Sequence, residues 1–216
     1  MGTYKNGILG AFTGKVGNVV GSTWNGIHYM RAVPTNVKDA KTPKQLAQRQ
    51  RFSLMTSFMR KFKTVVNIGF KNGAGNMAPG NRALSYNIKN AIGGEYPDLE
   101  IQYENLRFSR GDLIDAYQPQ AVSEDPGQLQ LSWTDNSDDG SASPDDRLIV
   151  ACYSPERDAV FLNTDAAARE DESAVITMPE VWQGDVAETY IFFVSSDERM
   201  VSDTTYLGAI EIDEAP

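Results

Sequence analysis

The chain has 216 residues, 41% of them apolar and 23% charged, which fits one elongated domain or two small ones of ordinary globular composition. Its apolar runs fall far short of the ~20 residues needed to cross a bilayer, and its start lacks a charged-then-apolar leader, so no membrane span is expected and the cytoplasm is the default location. The net charge of −9 conceals two opposite halves: residues 1–94 carry fourteen Lys and Arg against the single acid Asp39, net +13, whereas 95–216 carry six basic and 28 acidic residues, net −22.

The first element is read from "GILGAFTGKVGNVVGSTWNGIHYMRAVP", residues 7–34. Asn25-Gly26 is the dipeptide that a two-residue type I′ turn demands, so strands of about six residues should flank it. That register sets Trp24 opposite Ile27, Ser22 opposite Tyr29 and Val20 opposite Arg31, placing Trp24, Tyr29 and Arg31 on one face. Such a face suits an aromatic pair packed on a core with Arg31 stacked over it, or a base-stacking platform. Glycines 14, 17 and 21 weaken a strand unless the chain bends or another backbone comes close. The stretch is no phosphate loop, because Val16 stands after Lys15 where a hydroxyl is needed.

Thr42 and Pro43 carry the signature of a helix start. Gln48, Phe52, Met55, Phe58, Met59 and Phe62, continuing through Val65 and Val66, share one face, while Arg49, Arg60 and Lys61 fall away from it. This pattern suits a core helix with a solvated basic side, or a basic amphipathic element for membranes or partners. A second helix is expected over "GNRALSYNIKNAIGG", with Leu84, Ile88 and Ile92 in phase and Gly93-Gly94 as its stop.

From Glu95 the pattern alternates. Seven strand-like runs are expected at 99–108, 127–134, 146–154, 158–164, 173–180, 188–196 and 204–212. With a tryptophan on the second run and no disulfide, they predict an antiparallel β-sandwich of the fibronectin type III kind. The fold class is therefore α+β: a basic, Gly-rich hairpin and two helices over 1–94, then an acidic sandwich over 95–216.

Candidate chemistry is sparse. His28 and Cys152 are the sole residues of their types and lie in different halves, so no nucleophile–histidine device is expected. Cys152, within "RLIVACY", reads as a buried strand residue. One Cys and one His cannot make a structural zinc site, and nothing selects a pair from the many acids. In "DNSDDGSASPDD", Asp135, Asp139 and Asp146 stand at calcium-loop spacing, although an ordinary acidic hairpin loop explains the same residues. No cofactor is otherwise expected, and no small-molecule substrate is evident.

"KNGILGAFTGKVGNVVGSTWNGIHYMRAVP", "KTPKQLAQRQRF" and "ETYIFFVSSDERMVSDTTYLGAIEI" together resemble a family of uncharacterised Bacteroidota proteins, a domain of unknown function with a Gly-Lys-Val-Gly start and a YLG finish. That resemblance implies no activity or cofactor. A looser likeness is to phage and prophage structural proteins, carried by Gly14, Gly17, Gly26, Tyr29, Arg31, Thr42, Pro43, Gln48 and Arg49, with a departure at Asn36-Val37-Lys38-Asp39.

These observations lead to the expectation of a non-enzymatic structural protein that forms homo-oligomers, head to tail, as a filament or ring. Ile8, Phe12, Gly14, Lys15, Gly17, Trp24, Tyr29 and Arg31 of one copy would contact the acidic sandwich of the next, with strand addition as one route. The alternative is nucleic-acid binding through Lys41, Lys44, Arg49, Arg60, Lys61 and Lys63, with Trp24 and Tyr29 stacking on bases.

Overall fold

Two turn dipeptides organise the N-terminal region. The computed structural model of the chain describes residues 2–4, 7, 10–34, 39–73 and 75–214, and the chain divides into two compact units, Met1–Thr42 and Pro43–Pro216. In the first unit Asn25 and Gly26 both take positive φ, 48° and 81°, as a type I′ turn requires. They join β3 (Val19–Trp24) to β4 (Ile27–Ala32) in the expected register, Trp24 opposite Ile27, Ser22 opposite Tyr29 and Val20 opposite Arg31. A second tight turn, with Gly17 at φ 56°, adds β2 (Phe12–Val16), and β1 (Thr3–Tyr4) pairs outside it. The result is a four-stranded antiparallel sheet in sequential order, larger than the single hairpin expected. Close backbone approach does occur at Gly21, where a Cβ would lie 2.1 Å from the Phe12 carbonyl oxygen. That contact lies inside this sheet.

The second unit begins with α1 (Pro43–Lys61), at the Thr42-Pro43 signal. The expected continuous helix breaks at Phe62, whose amide bonds back to the Met59 carbonyl three residues earlier. This tighter turn redirects the chain into α2 (Lys63–Gly69). Three helices therefore replace the two expected, α3 being Pro79–Asn90. Gly93-Gly94 is not its stop. Both glycines lie in β5 (Ile92–Glu95), which pairs with β6 (Asp98–Ile101), and a Cβ on Gly94 would meet the Asp98 carbonyl oxygen at 2.2 Å.

Seven strands then form the sandwich: β7 (Tyr117–Val122), β8 (Gln128–Thr134), β9 (Arg147–Ser154), β10 (Ala159–Asn163), β11 (Ser173–Thr177), β12 (Val186–Val194) and β13 (Thr205–Glu211). One sheet runs β11-β8-β7 and the other β10-β9-β12-β13, all antiparallel, as in a fibronectin type III-like sandwich. The run at 99–108 is not its first strand, because after β6 the chain turns through a 3₁₀ segment at Tyr103–Asn105. That place belongs to β7, where Pro119 and a register shift between Tyr117 and Gln120 disguise an edge strand.

In the β10-β9-β12-β13 sheet, β9 and β12 are covered on both faces. Leu148, Val150 and Cys152 of β9, with Ile191 and Phe193 of β12, meet Leu129, Leu131 and Trp133 of β8 in the sandwich core. The intervening residues Ile149, Ala151, Tyr153, Tyr190 and Phe192 join a second core with the helices. Phe62 stacks on Phe108 at 4.2 Å, and Phe58 meets Tyr153 edge-on at 5.0 Å. The unit boundary at Thr42–Pro43 thus differs from the change of texture at 94/95, because the helices' aromatic stripe finds its partner on the sandwich. The stripe is shorter than expected, since Gln48 and Phe52 are exposed and burial starts at Met55.

Polar clamps hold the layers in register. Buried Asn87 of α3 accepts from the Arg107 amide at 2.9 Å and donates to its carbonyl at 2.8 Å. The Thr204 hydroxyl accepts from the amides of Phe108 and Ser109 at 2.9 and 2.8 Å. Among the described residues, no helix is long and apolar enough to cross a membrane.

Candidate interaction surfaces

The N-terminal sheet carries its large apolar side chains outward. Trp24 is 67% exposed, Ile27 64% and Met30 70%, and Tyr29 is exposed as well. Core packing of the Trp24–Tyr29 pair is therefore not what the fold does with it. Strand alternation and the observed register put Trp24, Ile27, Tyr29, Arg31 and Lys15 on one face, with Phe12, Gly14 and Met30 on the other. Lys15 and Arg31 are exposed and flank Val20 in one row, while Phe12 is half-buried against Gly21. Gly17 occupies a turn, and Ile8 lies outside the described residues. β4 ends the sheet, and all six of its residues are exposed. His28 lies on β4, its Nδ1 2.8 Å from the Thr23 hydroxyl.

Of the other expected cations, Lys41 belongs to this first unit, and Lys44, Arg49, Arg60 and Lys63 are exposed on α1 and α2. Lys61 is engaged within the fold: its ammonium pairs with Asp158 and lies 5.4 Å from the centre of the Tyr153 ring. The Lys61 ammonium and the Tyr153 hydroxyl hold the Asp158 carboxyl below its ordinary range. Arg60 and Lys63 line a groove of about 190 Å³ with Thr56, Asn67, Asn81 and Leu84.

The three loop aspartates are not brought together. Asp146 turns inward, is 1% exposed, and pairs with the fully buried Arg169 at 3.0 Å. Asp135 instead accepts from the amide and hydroxyl of Ser137 at 2.9 and 3.0 Å, closing a local turn. Among the described residues no group of three or more His, Cys, Asp or Glu could hold a metal ion.

Arg169 is a feature that residue types alone conceal. Its guanidinium donates to Asn136 Oδ1 at 2.7 Å and the Ile114 carbonyl at 2.8 Å, and it lies 3.9 Å from the centre of the Phe193 ring. Its own carbonyl accepts the Trp133 indole N–H at 2.7 Å. Desolvation pulls its pKa below the usual arginine value, opposed by the Asp146 charge. Cys152 is buried as expected, and burial pushes its thiol up to about 12, which keeps it protonated near neutrality.

Two further surfaces escaped sequence reasoning. A cleft of about 680 Å³ opens beside α3, where Arg110 lies over the Tyr86 ring at 5.7 Å and Lys89, Asp112 and Asp203 mix the charges. Its Arg82 is committed to structure, donating to the carbonyls of Phe70, Lys71, Gly73 and Gly75 at 2.6–3.2 Å. The second is the outward face of the three-stranded sheet. Its central row is Val175, Gln130 and Val122, and the next is Ser173, Ser132 and Gln120. Thr177 with Gln128, and Thr134 with Tyr117, complete it. None of these residues is charged. The alternation "QLQLSWT" signals the exposed half of β8, whereas the rest of the panel requires the pairing with β7 and β11.

No curated protein matches the chain. Among solved structures, it is similar to the solution structure of the fn3 domain of human collagen alpha-1(XX) chain, at 12% identity and a TM-score of 0.35, covering 48% of this chain and 89% of that one. A model of a family of unknown function, DUF6266, matches residues 11–208, and the chain belongs to that family.

Proposed function

We propose that this is a non-enzymatic structural protein that self-associates head to tail, the N-terminal sheet of one copy contacting the acidic sandwich of the next. The observation that carries this reading is the face bearing exposed Trp24, Ile27 and Tyr29 beside Lys15 and Arg31. Contiguous exposed aromatic and aliphatic side chains mark a docking surface, and Trp, Tyr and Arg are the residues that dominate interface energies. Charge supports the direction of the contact: residues 1–42 hold five Lys and Arg against one acid, whereas 43–216 hold fifteen against 28. Attraction between unlike units of successive copies propagates into a filament, or closes into a ring. The likeness to phage structural proteins and the Bacteroidota assignment belong to this proposal, the first because it suits a subunit whose work is assembly.

Sedimentation velocity of the full chain over a range of concentration and salt tests it. Species heavier than the 23.8 kDa monomer should appear and weaken with salt. A monomer throughout overturns the reading. The alternative, nucleic-acid binding, has the exposed Arg60 and Lys63 at their groove in its favour. The engagement of Lys61 with Asp158 counts against it. Salt-dependent retention of DNA or RNA in a gel shift, lost on Arg60→Ser and Lys63→Ser, would be its signature.

A further inference from the structure

We infer that the acceptor for the Trp24 face is the outward face of the three-stranded sheet (β7, β8 and β11) of a second copy; this rests on the self-association reading above. The panel is unusual for its surroundings. Residues 95–216 contain six basic and 28 acidic side chains among 122 positions, yet the outward rows carry only Gln, Ser, Thr, Val and Tyr. Solvent alone favours charges on an exposed strand face, and natural sheets use them to discourage association. Here they are absent, and Val175, midway along the edge strand β11, is 62% exposed.

The carboxylates come from beyond the strand ends instead. Asp125, in the turn before β8, reaches back to accept from the Gln130 side-chain Nε2 at 2.8 Å, so its carboxylate is already engaged beside that row. Asp135 and Glu172, joined by an amide–carboxylate bond of 3.2 Å, lie at the far end of the strands. The donor face has the complementary layout. Trp24 and Ile27 form its terminal row, and Arg31, Val20 and Lys15 the row two pairs along, roughly 13–14 Å away at the rise of an antiparallel strand. On the panel, two pairs separate the Val175–Gln130–Val122 row from the Tyr117–Thr134 row, beyond which come Asp135 and Glu172. Trp24 and Ile27 laid on the valine row therefore bring Lys15 and Arg31 to the carboxylate end. Apolar meets uncharged, and cation meets anion, in one sheet-on-sheet contact.

Mixing two variants of the full chain tests this, followed by sedimentation velocity. Trp24→Ser leaves a copy with only its acceptor, and Val175→Lys leaves one with only its donor, because it sets an unpaired ammonium under the apolar Trp24–Ile27 row. Both positions are exposed, so each variant should melt with the wild type. Each alone should associate at least about tenfold more weakly than wild type. Their equimolar mixture should form dimers and stop there, because one competent pair of faces remains. If Val175→Lys and a second variant, Gln130→Lys, both assemble as wild type while Trp24→Ser does not, the acceptor lies elsewhere and self-association stands. If both single variants are monomers and the mixture stays monomeric, the pairing is wrong; if Trp24→Ser alone still associates, two panels pack on each other instead. A monomeric wild type removes the underlying reading instead.

Discussion

The N-terminal sheet and the β10-β9-β12-β13 sheet are both four-stranded and antiparallel, yet they relate to solvent in opposite ways. The first buries no apolar side chain completely among its described residues. In the second, both faces of β9 and β12 are covered. Order in the first comes from turn chemistry, local in sequence, with Asn25-Gly26 and Gly17 setting the register. Order in the second comes from burial between layers far apart in the chain. A sheet held by turns can keep its aromatic residues free for a partner. A sheet held by burial spends them on its own fold.

The largest expected effect lies in the buried sheet. Arg169→Leu leaves Asp146 buried without its cation and should cost about 3–5 kcal/mol, seen as a large fall in Tm. Phe62→Ala opens a cavity between the helices and the sheet and should also cost about 3–5 kcal/mol. In both variants far-UV and near-UV circular dichroism should report one coincident transition, since helices and sandwich share β9 and β12. A separately melting helical phase would break the comparison.

Gly26→Val acts on the other sheet. It forces a β-branched residue into positive φ at a turn, at a cost of roughly 1–3 kcal/mol. Hydrogen exchange should show lost amide protection over 19–32 while the main melting transition stays in place. Movement of both together would show that the turns do not act locally.

Acid should separate the two sheets further. Arg157, with its two bonds to the carboxylate, holds buried Asp185 below the ordinary aspartate range. A folded pKa depressed in this way contributes stability that is fully present above the unfolded value of about 3.9 and is lost as pH falls through the folded value. Asp185→Asn should therefore flatten the loss of stability below about pH 4, followed by thermal melting across pH. The N-terminal unit, whose one acid is Asp39, should show no comparable acid limb. The smallest effect is expected from calcium. Millimolar calcium or a chelator should leave Tm unchanged, because Asp146 faces Arg169 and does not converge with Asp135 and Asp139. A rise in Tm with calcium would show that the loop rearranges to bind it.

What the sequence reveals follows the same division. The Asn25-Gly26 hairpin is legible to the residue, because two neighbouring side chains dictate it. The strands β8 to β13 are legible from alternation or apolar runs, whereas β7 hides behind Pro119 and a register shift. The covering of β9 and β12 on both faces leaves its mark in the uninterrupted "LIVACY" and "YIFFV". What covers the second face is not written nearby, since Phe58 and Phe62 stand 95 and 91 residues from Tyr153, the β9 residue that both meet. Arg169 reads as surface in composition, and its partner Asp146 lies 23 positions away, so only the folded chain exposes the pair. The uncharged panel is half legible, in the Gln and Ser of β8. Its remainder depends on strand pairing.

The sharing of β12 between two cores has a consequence for how the protein is made. Phe62 leaves the ribosome 130 residues before Phe192, the strand residue that closes the same core. At bacterial to eukaryotic elongation rates of about 5–20 residues per second, that gap lasts roughly 6–26 s. Until β9 and β12 have both emerged, Met55, Phe58, Phe62 and Phe70 lack the complete sheet they rest on. The nascent helices thus expose an aromatic stripe of the kind holding chaperones cover, and a ribosome stalled before residue 186 would present part of it for as long as the stall persists.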